Sequence, residues 1–404
     1  MKTDKKMISW ALYDFGNSAF ATTVMAAFFP IFFKTYWGHG LEVTQSTFYL
    51  GATMTVASLI FAAMAPFLGI LGDRYSLTKI ALTFFILIGG LSCIGFYFVD
   101  KGNWLAALII YCISWIGFSG GNLFYDSLLV SVAKEDERDW VSCLGYSFGY
   151  IGGGLLVVLN AAMVMKPELF GFADKAIAFK YSFASVGVWW LIFSIPILLY
   201  VDNPDKKLNK QHSIIETLKK VANQKSLVIF LAAYFFYIDG VHTVFKMAVD
   251  FALSIGLKPP DLIIAIIIVQ FVGFPMAFIT GYLANKWGNR TCINIGIIVY
   301  AVICLVCPFV TKASEFYILA AIIASVQGGV QALSRSFFSQ YVPKENASEY
   351  FGFFNMFGKF SAIMGPILVG LMGIMTNNPR YSLLIIFVLF LVGGLIFRKV
   401  PQDA

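Results

Sequence analysis

The chain has 404 residues, of which 59% are hydrophobic and 13% charged, whereas a water-soluble domain carries about 25% charged residues. That balance excludes a water-soluble globule and points to a bilayer, whose interior demands runs of roughly 20 apolar residues folded as helices. The net charge of +7 does not indicate nucleic acid, because the basic residues lie mainly in short loops between apolar runs.

Those runs fall at about 7–33, 46–72, 78–99, 103–132, 140–165 and 178–200, and resume at about 226–256, 261–285, 291–310, 315–341, 347–375 and 380–398. Each is long enough to span, some with tilt, so the expected fold is an all-α membrane protein of twelve transmembrane helices. The first run is too long for the apolar core of a signal peptide and contains Asp14 and Asn17, so it reads as a retained helix. The long polar interval, 202–225, reads as a cytoplasmic linker between a bundle at 1–201 and a second at 226–404. Its 213–221 portion is expected to form a short amphipathic helix on the membrane surface.

Lys and Arg distribution sets the expected orientation. With a cytoplasmic N-terminus, 18 of the 29 basic residues lie on that side, against eight on the other and three (Lys246, Arg335, Lys359) within spans. Both termini are therefore expected inside, in the inner membrane of a bacterial-type cell. The six cysteines lie in or beside apolar segments without metal-ligand spacing, so they read as small core residues. Trp37 and Trp104 fit an interfacial belt. Gly145-x-x-x-Gly149-x-x-x-Gly153 and Gly365-Pro366 read as close-packing and bending elements.

An internal repeat follows from the loops. Gly69-Ile-Leu-Gly-Asp73-Arg74 after helix two and Gly281-Tyr-Leu-Ala-Asn285-Lys286 after helix eight share G-x-L-[small]-[D/N]-[R/K], 212 residues apart. Arg290 closes the second loop, and Gly120-Gly121 echoes Gly328-Gly329 at an offset of 208. A third echo pairs Tyr13-Asp14 in helix one with Ile238-Asp239 in helix seven. The loops resemble the signature of the major facilitator superfamily, whose six-helix halves are related as repeats. In that signature the Gly permits close helix approach and the charges hold one access state. Ser76 stands where the first loop of the family has Gly, and Asn285 where the second has Asp, which removes a charge from any second latch. Three longer strings, Trp10-Ala-Leu-Tyr13-Asp14-Phe-Gly16-Asn17-Ser18-Ala-Phe20, Ala233 to Thr243, and Gly328 to Ser336 followed by Phe351-Gly352-Phe and Gly358-Lys359, resemble the unknown major facilitator branch that includes a fungal vacuolar amino-acid exporter linked to autophagy. The resemblance implies two pseudo-symmetric bundles, a cavity lined by helices one, four, seven and ten, and export of an amino acid or other small solute.

A charge at the centre of a span costs at least ~2.5–3.5 kcal/mol on insertion scales, so such residues are functional or paired. Asp14, Asp126, Asp239 and Arg335 place one charge in each of those four helices. The aspartates, with His242 one turn beyond Asp239, are candidate proton-coupling groups. Arg335 is either an anion contact for the solute or a permanent partner of an aspartate. Lys359 is a second anion contact or a partner for Asp239, and Lys246 and Asp250 read as an i, i+4 pair. Tyr13, Asn17, Asn122, Tyr125, Tyr237, Gln331 and Asn355 complete the candidate solute site, as polar groups that need partners away from lipid.

The expected activity is alternating-access secondary transport of a small polar solute, proton-coupled, by a monomer with no cofactor or metal. The alternatives are export of a larger drug, lipid or peptide, a channel, or a receptor on the same fold. A membrane enzyme would need a nucleophile with its base or a metal set, and His39, His212 and His242 are too scattered to supply one.

Overall fold

A computed structural model describes residues 4–204, 214–254, 256–376, 381 and 383–401. Among them, eleven helices are long and apolar enough to cross a membrane. They are α1 (Lys5–Trp37), α2 (Thr44–Arg74), α3 (Thr78–Phe98), α4 (Trp104–Val132), α5 (Glu135–Met165), α6 (Lys175–Tyr200), α7 (Lys225–Ala248), α8 (Asp261–Trp287), α9 (Asn289–Phe309), α10 (Ala313–Ser339) and α11 (Lys344–Gly373). A shorter apolar helix, α12 (Leu384–Phe397), completes the twelve that the hydropathy pattern predicts. Large apolar side chains such as Phe67, Phe84, Phe98 and Phe309 are exposed on the outer surface, a surface suited to lipid rather than water.

Buried apolar residues form two clusters. One draws on residues 7–201; the other draws mainly on 221–400, joined by Val130 and Cys143 of α4 and α5. Both chain ends and the linker share one side of the molecule. Lys6 is ion-paired with Asp202, Asn203 donates to the Ser76 carbonyl, and Arg290 donates to the Arg398 carbonyl at 2.5 Å. We call this the linker side. The predicted amphipathic segment is helical over Ile214–Asn223, with Val221 buried and Lys219 and Lys220 exposed; Ser213 and His212 lie outside the described residues.

Glycines set how closely the spans approach. A Cβ on Gly152 would lie 2.1 Å from the Phe15 carbonyl oxygen, and one on Gly149 would lie 2.5 Å from Ser18 Oγ, so α5 packs backbone-close on α1. The far part of α1 widens into π-helical turns over Phe20–Phe28 and Phe33–Trp37. Trp37 corrects an expectation: it is fully buried among Phe29, Phe32, Phe96 and Phe183, with Nε1 donating to the Val99 carbonyl. An indole belongs at the interface only when its N–H must reach water, and here the chain itself accepts that bond. Trp104 is half-buried and stacks on Tyr49.

Candidate functional site

The two signature loops differ in what they hold. Gly69 lets α2 approach the start of α11 so closely that a Cβ there would lie 2.2 Å from the Ser348 carbonyl oxygen. Asp73 then accepts from the backbone N–H groups of Ser348 at 3.1 Å and Glu349 at 2.7 Å, a carboxylate at a helix N-terminus. Arg74 lies over the Tyr75 ring. Gly281 performs the same approach between α8 and the start of α5, where a Cβ would meet Cys143 Cβ at 2.8 Å. Lys286 lies over Tyr282, and Arg290 reaches α12 as described above.

A carboxylate is nonetheless present at this junction: Asp139 in the first turn of α5 accepts from Asn289 at 2.5 Å and from Ser336 at 2.5 Å. Arg138, buried beside it, donates to the Ser339 carbonyl at 2.7 Å. The sequence reading did not single out Arg138, Asp139, Asn289 or Ser336. The repeat held a signal, since an offset of 210 sets Asp139 against Glu349 at the start of α11.

Deeper along the same junction, Arg335 of α10 donates to Asp126 of α4 at 2.8 Å and to Ser142 of α5 through Nε at 2.9 Å and Nη2 at 3.0 Å. Its guanidinium carbon lies 4.8 Å from the Trp10 ring, 5.2 Å from Tyr125 and 4.8 Å from Tyr146, an aromatic enclosure with cation–π attraction. Asn355 of α11 donates weakly to the other Asp126 oxygen at 3.4 Å. Of the two readings of Arg335, its geometry here matches the aspartate partner, and the partner stands on the opposite half.

Asp14 accepts from Ser18 at 2.9 Å and from Tyr125 at 3.5 Å. Asn17 bridges Tyr13 and Asn122, at 3.0 and 2.8 Å. Asp14, Asn122, Asp126, Gln331, Asn355 and Lys359 are partly exposed despite lying within spans. Tyr13 is fully buried, and Tyr237 lies in the apolar core of the second half with its hydroxyl on Ser334 at 2.7 Å.

On α7, Asp239 is buried and accepts from the Gly365 backbone N–H at 3.0 Å and Thr243 at 3.3 Å; its second oxygen and the buried His242 Nδ1 have no hydrogen-bond partner among the described residues. Lys246 donates to the Ala362 carbonyl at 3.0 Å. That acceptor is available because Pro366, four residues on, has no N–H to give it. The side chain of Asp250, the partner expected for Lys246, lies outside the described residues. Lys359 stands 4.6 Å over Trp115 of α4 rather than against Asp239.

The cross-half contacts of Asp73, Asp126, Arg138, Asp139, Ser142 and Arg335 all involve linker-side portions of the helices. Thr78 and Ser127 add hydroxyl contacts to Ser348 at 3.0 and 3.3 Å. The junction is therefore closed toward the linker.

Known proteins share this architecture. The solved structure of a superfamily transporter, the E. coli fucose–proton symporter FucP in its outward conformation, aligns with a TM-score of 0.75 over 99% of this chain and all of its own, at 15% identity. The human organic anion transporter MFSD10 aligns with a TM-score of 0.76 over 97% and 99% of the two chains, at 11% identity. At these identities the likeness concerns the fold alone. In sequence, the uncharacterised MFS-type transporter YxiO of Bacillus subtilis is 36% identical over 99% of this chain and 95% of its own length. Autophagy-related protein 22 of Vanderwaltozyma polyspora is 23% identical over 100% and 92%. The sequence profile of the vacuole effluxer Atg22-like family matches residues 36–139 and 130–404. The chain belongs to the Atg22-like family of major facilitator transporters.

Proposed function

We propose that this transporter is a secondary active carrier that moves a small polar solute, an amino acid foremost, by alternating access coupled to protons. The observation that carries the reading is the Asp126–Arg335 ion pair, which joins the two halves on the linker side of partly exposed polar side chains. An interior ion pair between two moving bodies is a gate, since opening toward the linker must break it and its partners must be compensated in the other state. The basic residue bias supports cytoplasmic termini in a bacterial-type inner membrane, so the described state faces outward. Asp239 and Asp14 lack a basic partner in the hydrogen bonds and ion pairs described, which suits carboxylates that alternately hold and release a proton.

Purified protein in proteoliposomes tests this. An imposed pH gradient is expected to accelerate uptake of a labelled amino acid, with unlabelled solute exchanging against it. Asp239→Asn should abolish the acceleration and preserve exchange. Gradient-driven uptake unchanged in that variant would transfer the coupling role to Asp14 or Asp126.

A further inference from the structure

The walls of the junction differ in charge. On the second half, α7 presents Lys246 and α11 presents Lys359, and Lys246 donates to the carbonyl of Ala362, about one helical turn along α11 from Lys359. Among the described mid-span side chains of the same two helices, one carboxylate, Asp239, accepts from Gly365 and Thr243. Asp126, across the junction, is held by Arg335 and Asn355. Among the described mid-span residues, this wall therefore carries two ammonium groups against one carboxylate. On the first half, Asp14 faces no ion-pair partner among the described residues.

Neither lysine has a carboxylate partner among the described residues. An ammonium has three N–H donors and seeks oxygen acceptors. Among the described residues Lys246 has one, the carbonyl left open by Pro366, and its side chain is exposed. Lys359 is half-buried, makes no hydrogen bond or ion pair among the described residues, and rests on the face of Trp115. A ring face attracts the charge but accepts no N–H in the way an oxygen does. Positive charge left short of acceptors inside a membrane protein is costly, and one carboxylate would neutralise the surplus with charge-assisted hydrogen bonds.

We propose that Lys246 and Lys359 form a carboxylate-binding subsite on the second half, which takes the anionic end of the transported solute while Asp14 of the first half faces its cationic end. The inference rests on the transport reading and adds to it the charge pattern of the cargo. Binding draws Lys359 off Trp115, so that ring reports occupancy.

The test uses the full-length protein in nanodiscs with matched probes: the common amino acids and their carboxamides, with acetate, lactate and malonate as simple carboxylates. Thermal shift and tryptophan fluorescence are both read. At least one carboxylate should raise the melting temperature more than its amide and change a fluorescence signal that is absent in Trp115→Phe. Lys359→Met should weaken that binding about tenfold or more, the scale of a charge-assisted hydrogen bond lost. Lys359→Arg, which keeps the charge, should retain most of it and guards against a merely misfolded variant. Amides as effective as carboxylates, no response to any carboxylate, or full affinity in Lys359→Met each overturn the subsite. Exchange measured on the same panel in proteoliposomes separates the two claims. Transport indifferent to the carboxylate leaves the carrier reading standing without the subsite; charge-dependent binding without flux does the reverse.

Discussion

At the residue scale, Ser76 shows how a departure from a pattern is absorbed. It takes a positive φ of 53°, and Gly288 in the second loop, 212 residues later, takes 81° with ψ 147°. The positive φ persists although the side chain has changed, at a cost of roughly 1–2 kcal/mol for a residue with a Cβ. Ser76→Gly is therefore expected to raise thermal stability by about 1 kcal/mol, measured by unfolding in detergent, and Gly288→Ala to lower it similarly. Asp126 and Arg335 predict a different pattern. Removing one member of an interior ion pair strands the other at about 3–5 kcal/mol. Asp126→Ala should lower the melting temperature more than Asp126→Ala combined with Arg335→Met, and additive losses would show that the two do not interact. At the surface, Lys6 holds the Asp202 carboxyl below its ordinary range. A depressed folded value means that this tie is fully present above the unfolded carboxylate value near 3.9 and is lost as pH falls through the folded value. Asp202→Asn should remove that acid dependence from protease accessibility of the linker.

At the element scale, α11 is the helix whose continuity matters most. Pro366 leaves the Ala362 carbonyl without its helical donor, and α7 uses the break twice, through Lys246 on that carbonyl and Asp239 on the Gly365 N–H. Pro366→Ala restores the helical donor, so Lys246 loses its acceptor and should react faster with an amine-directed reagent; an unchanged rate would mean the lysine is held otherwise. The opposite face of α11 depends on absence of bulk. Cβ atoms added at Gly69 or Gly352 would lie 2.2 and 2.6 Å from backbone oxygens across the α2–α11 contact. Because backbone cannot step aside as a flexible side chain can, Gly69→Val should destabilise this closed junction and raise accessibility on the linker side.

At the scale of the whole molecule, transport requires the junction closed here to open. Ser127 and Ser348 belong to different halves and their hydroxyl oxygens lie 3.3 Å apart, a side-chain contact that suits the pair to a cross-linking test. A Ser127→Cys, Ser348→Cys double variant should cross-link under mild oxidation, lose transport, and recover it on reduction. Transport that continues in the cross-linked protein would show that this contact does not part during the cycle.

Much of this was legible before any coordinates. Twelve spans followed from solvent physics, because a bilayer requires long apolar helices and tolerates few charges. The repeated loops exposed the kinship of the halves, and the rarity of charged residues within spans drew attention to Asp14, Asp126, Asp239, Arg335 and Lys359. Pairing was not legible, because a hydrogen bond between residues about 200 positions apart leaves no local trace. Only the tertiary structure joined Arg335 to Asp126 and Ser142, sank Tyr237 and Trp37 into apolar cores, and set Asp139 against Asn289 and Ser336. Composition and period are properties of the chain taken locally and so determine the membrane fold; which charges meet depends on helix packing, which only the folded molecule decides.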